Sequence, residues 1–460
     1  MMHRELLSLY LPVLIATALV GTGARASAQS PATAPDLAIS PINPVVGQPV
    51  TLTMDGGAAF AGSRATLFYF PSPSSIKAVG FGRMDSSGRL SFRHRQIPAI
   101  TEGMAFSFVA AGLHPTLGFW KTNVATILVG DARHYDGLLL ASDWRISQLA
   151  DSGPAWDNVF AAAQNDTSNP NISNQDDNVD VDTLAKALVY RRTGDQRYRQ
   201  EVIDTCMAAM GTELGGRTLA LGRNLLSYVL AADLVGLPSA EDQRFRTWLR
   251  SLLDLPLSGR TLRSTHEDRP NNWGTHAGAS RIAVALYLGD QSELDAAALV
   301  LRGFLGDRDA YSDFKYGDLS WQADPRAPVG INPPESQLLG RDVDGVIPDD
   351  QRRGGSFDWK PPKENYVYEC LQGAILQAHL LYRRGYDAWN WEDQALRRAY
   401  RWLHTPHFTS GGSYPAQGDD QWQPWLVNFF YGAQLPAQTP ARHGKNVGWT
   451  DWLFPSGGPY

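Results

Sequence analysis

From about Tyr135 onward the apolar residues of this chain recur at a helical spacing, and the helices come in pairs. The stretch DTLAKALVYRRTGDQRYRQEVIDTCMAAM, residues 182–210, shows the unit. Leu184 and Leu188 form one stripe, and Val202, Cys206 and Met210 form a second. A spacing of four puts each set on one helix face. Between them Gly194 suits a left-handed stop and Asp195 can cap the next helix. LGRNLLSYVLAADLVG closes at Gly236, AGASRIAVALYLGD at Gly289 and KENYVYECLQGAILQAHLLYRRG at Gly385, each followed by another helical run. We count about ten to twelve helices joined mostly by short turns, without a regular sequence repeat. That pattern predicts a mainly α fold in which residues 135–460 form an incomplete α/α toroid. The loop-rich gap from Asp307 to Pro362 interrupts the series, and a gap that long is usually functional.

The texture before Tyr135 is different. VVGQPVTLTMDG, ATLFYF, GRLSFRHRQI, MAFSFVAAG and NVATILVG are short runs separated by turn residues. They predict a small antiparallel β-sandwich, Ig-like, over residues 36–131. SPATAPD, residues 30–36, reads as a linker. The first residues carry an address: basic His3 and Arg4, an apolar run from Leu6 to Val20, then Ala26-Ser27-Ala28 as a cleavage site. The run is short for a membrane span. Residues 1–28 are therefore expected to be a signal peptide, leaving a periplasmic or secreted protein with no stable membrane insertion.

The formal net charge is −6 and no Lys/Arg block stands out, which argues against nucleic-acid binding. Cys206 and Cys370 lie in apolar helical contexts, where a disulfide and two buried thiols are both open. Two cysteines make neither a disulfide scaffold nor a zinc site.

One helix start is unusually rich in polar side chains. In RPNNWGTHAGASRIAVALYLGD, residues 269–290, Pro270 blocks backward extension, and Asn271 or Asn272 can act as N-cap. Asn272 and His276 are four apart and share a face. An amide, an imidazole and the helix dipole together suit a carboxylate, although capping alone also explains an asparagine there. A second cluster, DVDGVIPDDQRRGG, holds Asp344, Gly345, Arg352 and Arg353. It leads into a helix whose buried stripe is Val367, Leu371, Ala374, Ala378 and Leu381, with Tyr366 beside it in the first turn and Tyr368 less clearly placed. Tyrosine serves as a base only when its pKa is lowered, as a nearby arginine would do. Core packing for Tyr366 and a solvated charge pair for the arginines are the plainer alternatives.

In combination these features resemble the alginate lyase superfamily, polysaccharide lyases with an α/α toroid, over about residues 135–455. The resemblance rests on three ordered motifs. Asn271-Asn272-Trp273 stands at a helix start, Asp344-Gly345-Val346-Ile347-Pro348 has Arg353 nine residues after the aspartate, and Tyr366 opens a helix. Trp273 stands where the alginate-specific branch has a histidine, so His276 is assigned by helical spacing.

The resemblance implies β-elimination beside a uronate carboxylate. Asn272, His276 and Arg353 would neutralise that carboxylate, and Tyr366 would serve as acid and base. Asn271, Trp273, Arg352, Tyr228, Trp359 and His266 are the further candidates for substrate contact. The expected partner is an acidic polysaccharide, and no metal or cofactor is required. A single acid/base on one ring face fits β-1,4-linked mannuronate or glucuronate. A glycoside hydrolase on the same toroid would instead need two carboxylates, for which Asp344, Asp358 and Glu364 are available. A non-catalytic polysaccharide-binding envelope protein is the third possibility.

Overall fold

The structure is a computed structural model that describes residues 35–40, 50–72, 75–94, 105–114, 116–122, 125–128, 138–352, 366–404, 414–440 and 444–455. The signal-peptide segment and linker before residue 35 lie outside the described residues. The described residues fall into two compact units divided between Tyr135 and Asp136.

The first unit is antiparallel throughout. Its strands are β1 (Asp36–Ser40), β2 (Val50–Asp55), β3 (Arg64–Ser72), β4 (Ser75–Arg83), β5 (Arg89–His94), β6 (Ala105–His114), β7 (Gly118–Lys121) and β8 (Ala125–Leu128). One sheet runs β1-β2-β5; the other runs β4-β3-β6-β7, with β8 also on β6. Both contribute to one core: Leu37, Leu52 and Met54 from the first sheet meet Leu67, Ala110 and Trp120 from the second. Sequence patterning missed β4, and the reason is local. Its core-facing positions are Gly80 and Gly82, where a Cβ would stand 2.7 Å from the Phe92 and Leu90 side chains. Those two residues of β5 fill the space, while Val79 and Phe81 of β4 face outward at 50% and 68% exposure. The apolar alternation is thus inverted.

The second unit is mainly helical. In chain order its helices begin with α1 (Asp143–Gln148), α2 (Pro154–Ala162), α3 (Val179–Thr193) and α4 (Gln196–Ala209). Next come α5 (Thr218–Val235), α6 (Ser239–Asp254), α7 (Leu262–Asp268), α8 (Asn272–Leu288) and α9 (Gln291–Leu305). The last are α10 (Tyr366–Tyr382), α11 (Trp391–Leu403), α12 (Gln423–Tyr431) and α13 (Thr450–Leu453). The predicted punctuation holds: Gly194 adopts φ 77° after α3, and Asp195 accepts a hydrogen bond from Arg197 N–H at 2.9 Å.

Helices α3, α5, α8 and α10 pack side by side in that order and are buried on almost every face. Helices α4, α6 and α9 lie outside them with one apolar face each. Burial explains the composition of α5, the one described helix long and apolar enough to cross a membrane. The two cysteines are separate buried thiols, and burial pushes the Cys206 thiol up to about 12.

Backbone-to-backbone contacts hold the inner row. A Cβ on Gly222 of α5 would lie 2.8 Å from the Ala277 nitrogen of α8. A Cβ on Gly373 of α10 would lie 2.3 Å from the Thr275 carbonyl carbon and 2.5 Å from the His276 nitrogen. The N-terminal halves of α5, α8 and α10 therefore meet around His276.

The long gap between α9 and α10 is packed rather than loose up to residue 352. Asn332 donates to the Trp321 and Val343 carbonyl oxygens at 2.7 and 3.1 Å. Asp344 is clamped by Arg398 at 2.6 Å and Arg401 at 2.8 Å. That pairing removes Asp344 from the candidates for hydrolytic catalysis.

In an ordinary helix interior, alanine is favoured over glycine by roughly 1 kcal/mol. The close approach reverses the sign at residue 373. Gly373→Ala should lower stability by about 1–3 kcal/mol in urea denaturation, because the backbone of α8 must move. A more stable variant would contradict this packing.

Candidate functional site

The polar helix start is built as a double cap. Asn271 is the N-cap of α8, its Oδ1 accepting from Trp273 N–H at 3.1 Å. The Asn272 N–H donates to the Asp350 carboxylate at 2.6 Å, and Asn271 Nδ2 reaches Asp349 at 3.5 Å. Asp349 and Asp350 follow Pro348 directly in the loop motif, so the two sequence clusters do come together. Among the described residues their junction is made by Asp349 and Asp350. A buried carboxylate at a helix N-terminus is favourable. The expectation of an open anion site on these N–H groups is corrected accordingly: side chains of the protein already take those of Asn272 and Trp273.

His276 lies one turn into α8 and is completely buried. Its Nδ1 faces Asn446 Nδ2 at 3.5 Å, and its Nε2 faces Glu369 Oε2 of α10 at 3.7 Å. Burial pushes the imidazole below its ordinary pKa, more than the Glu369 carboxylate raises it. Burial thus favours the neutral imidazole.

Glu369 stands among charges that the sequence reading did not single out. Arg223 of α5 lies 3.4 Å from Glu369 and 3.0 Å from Asp419. Asp420 is buried and accepts from Gln372 at 2.6 Å and Gln423 at 2.7 Å. Gln372 in turn accepts from Asn446 at 2.8 Å. Burial pushes the Glu369 carboxyl up, but the His276 hydrogen bond and the Arg223 charge outweigh it, and the net displacement is downward. Oxygens of Glu369, Asp419 and Asp420 fall within 4.8 Å of one another, close enough to surround a cation. Arg223 already supplies a positive charge to two of them. The signal that could have exposed this cluster was a charge inside an apolar helix, as in LGRNLLSY for Arg223 and YECLQG for Glu369.

Tyr366 opens α10 and is partly exposed. It precedes Glu369 by three residues and so lies on the same side of the helix. Asn271, Asn272, Trp273, His276 and Tyr366 thus sit at the adjoining ends of α8 and α10. Arg352 follows Gln351 in the turn that carries Asp350, and its side chain, with Arg353 and Trp359, lies outside the described residues.

Two candidates for substrate contact are corrected. Tyr228 is fully buried in α5, where burial and then Asp180 push its hydroxyl well up. His266 is 3% exposed, packed near Arg281 at 3.4 Å, and burial holds its pKa well down. Both side chains are interior, as is that of His276. Tyr368 is also interior, its hydroxyl donating to the Tyr414 carbonyl oxygen at 2.5 Å.

Residues 165–309 match the family described as alginate lyase. The resemblance to the alginate lyase superfamily therefore holds over the segment from before α3 to just past α9, which includes Asn271 through His276. None of the curated proteins matches the chain. Similar solved structures include a polysaccharide lyase at 8% identity and TM-score 0.26, covering 81% of this chain and 48% of the other. The chain thus spans about half the length of that lyase. A family 76 glycoside hydrolase from a bovine Bacteroides thetaiotaomicron strain matches at 10% identity and TM-score 0.27, covering 86% and 85%. A beta-1,2-glucanase from Parabacteroides distasonis matches at 11% identity and TM-score 0.14, covering 47% and 34%. Scores this low do not establish a shared fold.

Two stability measurements test the site's electrostatics. Asp350→Asn removes a charge-assisted hydrogen bond at the start of α8, and should cost about 1–3 kcal/mol in chemical denaturation. Asp180, buried at the start of α3, is pushed by burial from 3.8 to about 7, against the pull of Lys445. A raised carboxyl stabilises the folded state fully below pH 3.8 and loses that contribution as pH rises to about 7. Relative to Asp180→Asn, the parent protein should therefore lose roughly 1–3 kcal/mol of stability between pH 4 and 7. Parallel pH profiles would contradict this assignment.

Proposed function

We propose that the chain is a polysaccharide lyase that cleaves a β-1,4-linked uronate polymer by β-elimination, on an incomplete α/α toroid. The observation that carries this reading is the alginate lyase match over the segment bearing Asn272 and His276, next to the helix that Tyr366 opens.

A uronate C5 proton is poorly acidic while the adjoining carboxylate is charged. Hydrogen bonds to that carboxylate stabilise the enolate-like transition state. In this reading Asn272 and Arg353 supply them, with the neutral imidazole of His276 one turn deeper. Tyr366 takes the C5 proton as the C4–O4 bond breaks, forming the C4=C5 double bond, and returns a proton to O4. Both events occur on one face of the ring in β-linked mannuronate and glucuronate, but not in guluronate. The residues of this chain suffice for each of these proton movements. The polymer would be met in the periplasm or outside the cell, the compartments implied by the N-terminal address.

A second reading is favoured by one observation. Glu369 and Asp419 bring carboxylate oxygens within 4.8 Å of each other, close to the roughly 5 Å separation of a retaining glycosidase. Burial and then Glu369 push the Asp419 carboxyl up against the pull of Arg223, while Glu369 itself is displaced downward, a split of the kind an acid and its partner need.

Products separate the two. With polymannuronate or glucuronan, the lyase releases an unsaturated end absorbing in the ultraviolet, and Tyr366→Phe should reduce its formation by at least about a thousandfold while the protein stays folded. Near-normal turnover in Tyr366→Phe, or reducing ends without ultraviolet absorbance, would reject the assignment.

A further inference from the structure

The sheet β4-β3-β6-β7 places large apolar side chains outward and small ones inward. Directly opposed residues of an antiparallel sheet share a face. One core-facing row reads Gly82, Ala65, Gly112 and Trp120 across the four strands. The outward rows on either side of it read Arg83, Arg64, Leu113 and Phe119, and Phe81, Thr66, Ala111 and Lys121. Leu113 is 52% exposed and Phe119 41%, on the same face as the more exposed Phe81. Exposed apolar side chains rimmed by polar groups mark an interaction surface.

The charge of this face is one-sided. Arg64, Arg83 and Lys121 are exposed, and strands β3, β4, β6, β7 and β8 contain no aspartate or glutamate. Arg64 and Arg83 stand directly opposite each other, an arrangement that repels. Among the described residues, no hydrogen bond, ion pair or ring contact engages any of the three cations. Arg89 on the other sheet shows the contrast, since Asp55 neutralises it at 2.6 Å. In a chain of formal charge −6, attraction for a polyanion has to be local, and this face supplies it.

We propose that the outer face of this sheet binds an acidic polysaccharide, with Phe81 and Phe119 against the apolar faces of the sugar rings and Arg64, Arg83 and Lys121 on the carboxylates. The inference rests on the polyuronate reading above for the class of polymer, but not on elimination chemistry. Each residue of a polyuronate carries both an apolar C–H face and a carboxylate, so rings and cations are needed side by side. The planar fork of each arginine matches a carboxylate in two-point hydrogen bonding, and Lys121 adds a point charge. The four strands span about 14 Å, three spacings of about 4.8 Å, which seats a few sugar residues. The surface retains polymer and contributes no group to bond cleavage.

The test is retardation of the full-length protein in native gels that contain polymannuronate, glucuronan, neutral β-1,4-glucomannan or polyphosphate. All proteins carry Tyr366→Phe, so that polymer is not consumed during the run. At least one uronate polymer should retard the parent, and glucomannan should not. Arg64→Gln combined with Arg83→Gln should raise the Kd read from retardation about tenfold at low ionic strength and weaken its salt dependence. Phe81→Ala should raise it roughly fivefold. Arg89→Gln, which removes the paired arginine of the other sheet, should behave as the parent does. Melting curves establish that each variant is folded, and Arg→Thr, well suited to a strand, replaces any glutamine variant that is not.

Unchanged retardation in the double arginine variant, equal retardation by polyphosphate, or none by either uronate polymer overturns the proposal. So does a parent dimer in sedimentation that Phe81→Ala converts to monomer, since the face would then meet a second copy. Loss of retardation in the arginine and Phe81 variants, with no unsaturated product from the protein bearing Tyr366, supports the surface and rejects the lyase reading alone.

Discussion

The packing of α5 and α10 onto the backbone of α8 is the contact on which the helical unit depends. Gly222 and Gly373 remove the side chains that would otherwise separate three helices, and the residue between them is His276. Close backbone approach costs the conformational entropy of two glycines in helix interiors. It brings Arg223 and His276, from two different helices, within 3.4 and 3.7 Å of Glu369 on a third. A larger residue at either position would widen the helix pair and pull these groups apart. The chemistry of the site is thus tied to two residues that carry no side chain.

The same economy governs the mouth of the site. Gly274 lets the chain before Pro270 turn back on α8, and the Asn271 side chain with the Asp350 carboxylate satisfies the first N–H groups of the helix. The DG-x-x-P loop therefore has a structural duty that the sequence alone did not suggest: it supplies the anion for the helix N-terminus. In the proposed mechanism a substrate carboxylate therefore has to find its partners among side chains, because the protein has already used that part of the helix dipole. This shifts the weight of the proposed mechanism towards Asn272 and Arg353.

Much of this was legible in the sequence where the information is local. Helix periodicity, the stop at Gly194, the cap at Asp195 and the cap at Asn271 all depend on residues within one or two turns, and each is present. Strand β4 was hidden because its inward positions are glycines filled by a neighbouring strand. The Arg223–Glu369–Asp419 cluster was hidden because its members come from segments far apart in the chain. Tyr228 and His266 show the opposite error. A polar aromatic side chain in an apolar helix can face either a cleft or the interior, and spacing does not separate the two. Here both are interior.

The electrostatics argue for a division of labour across the site. The interior holds more acidic than basic groups around the imidazole: Glu369, Asp419 and Asp420 against Arg223 and Lys445. Such a floor repels a polyanion, yet it can hold a neutral hydrogen-bonding histidine in one orientation without spending a free cation on it. In the proposed mechanism the positive charge that a uronate polymer requires is best carried nearer the surface, where solvent reduces the desolvation cost of a guanidinium. In that reading the bond to be broken lies beside the part-exposed first turn of α10, which Tyr366 opens, and the polar floor around His276 lies one turn deeper.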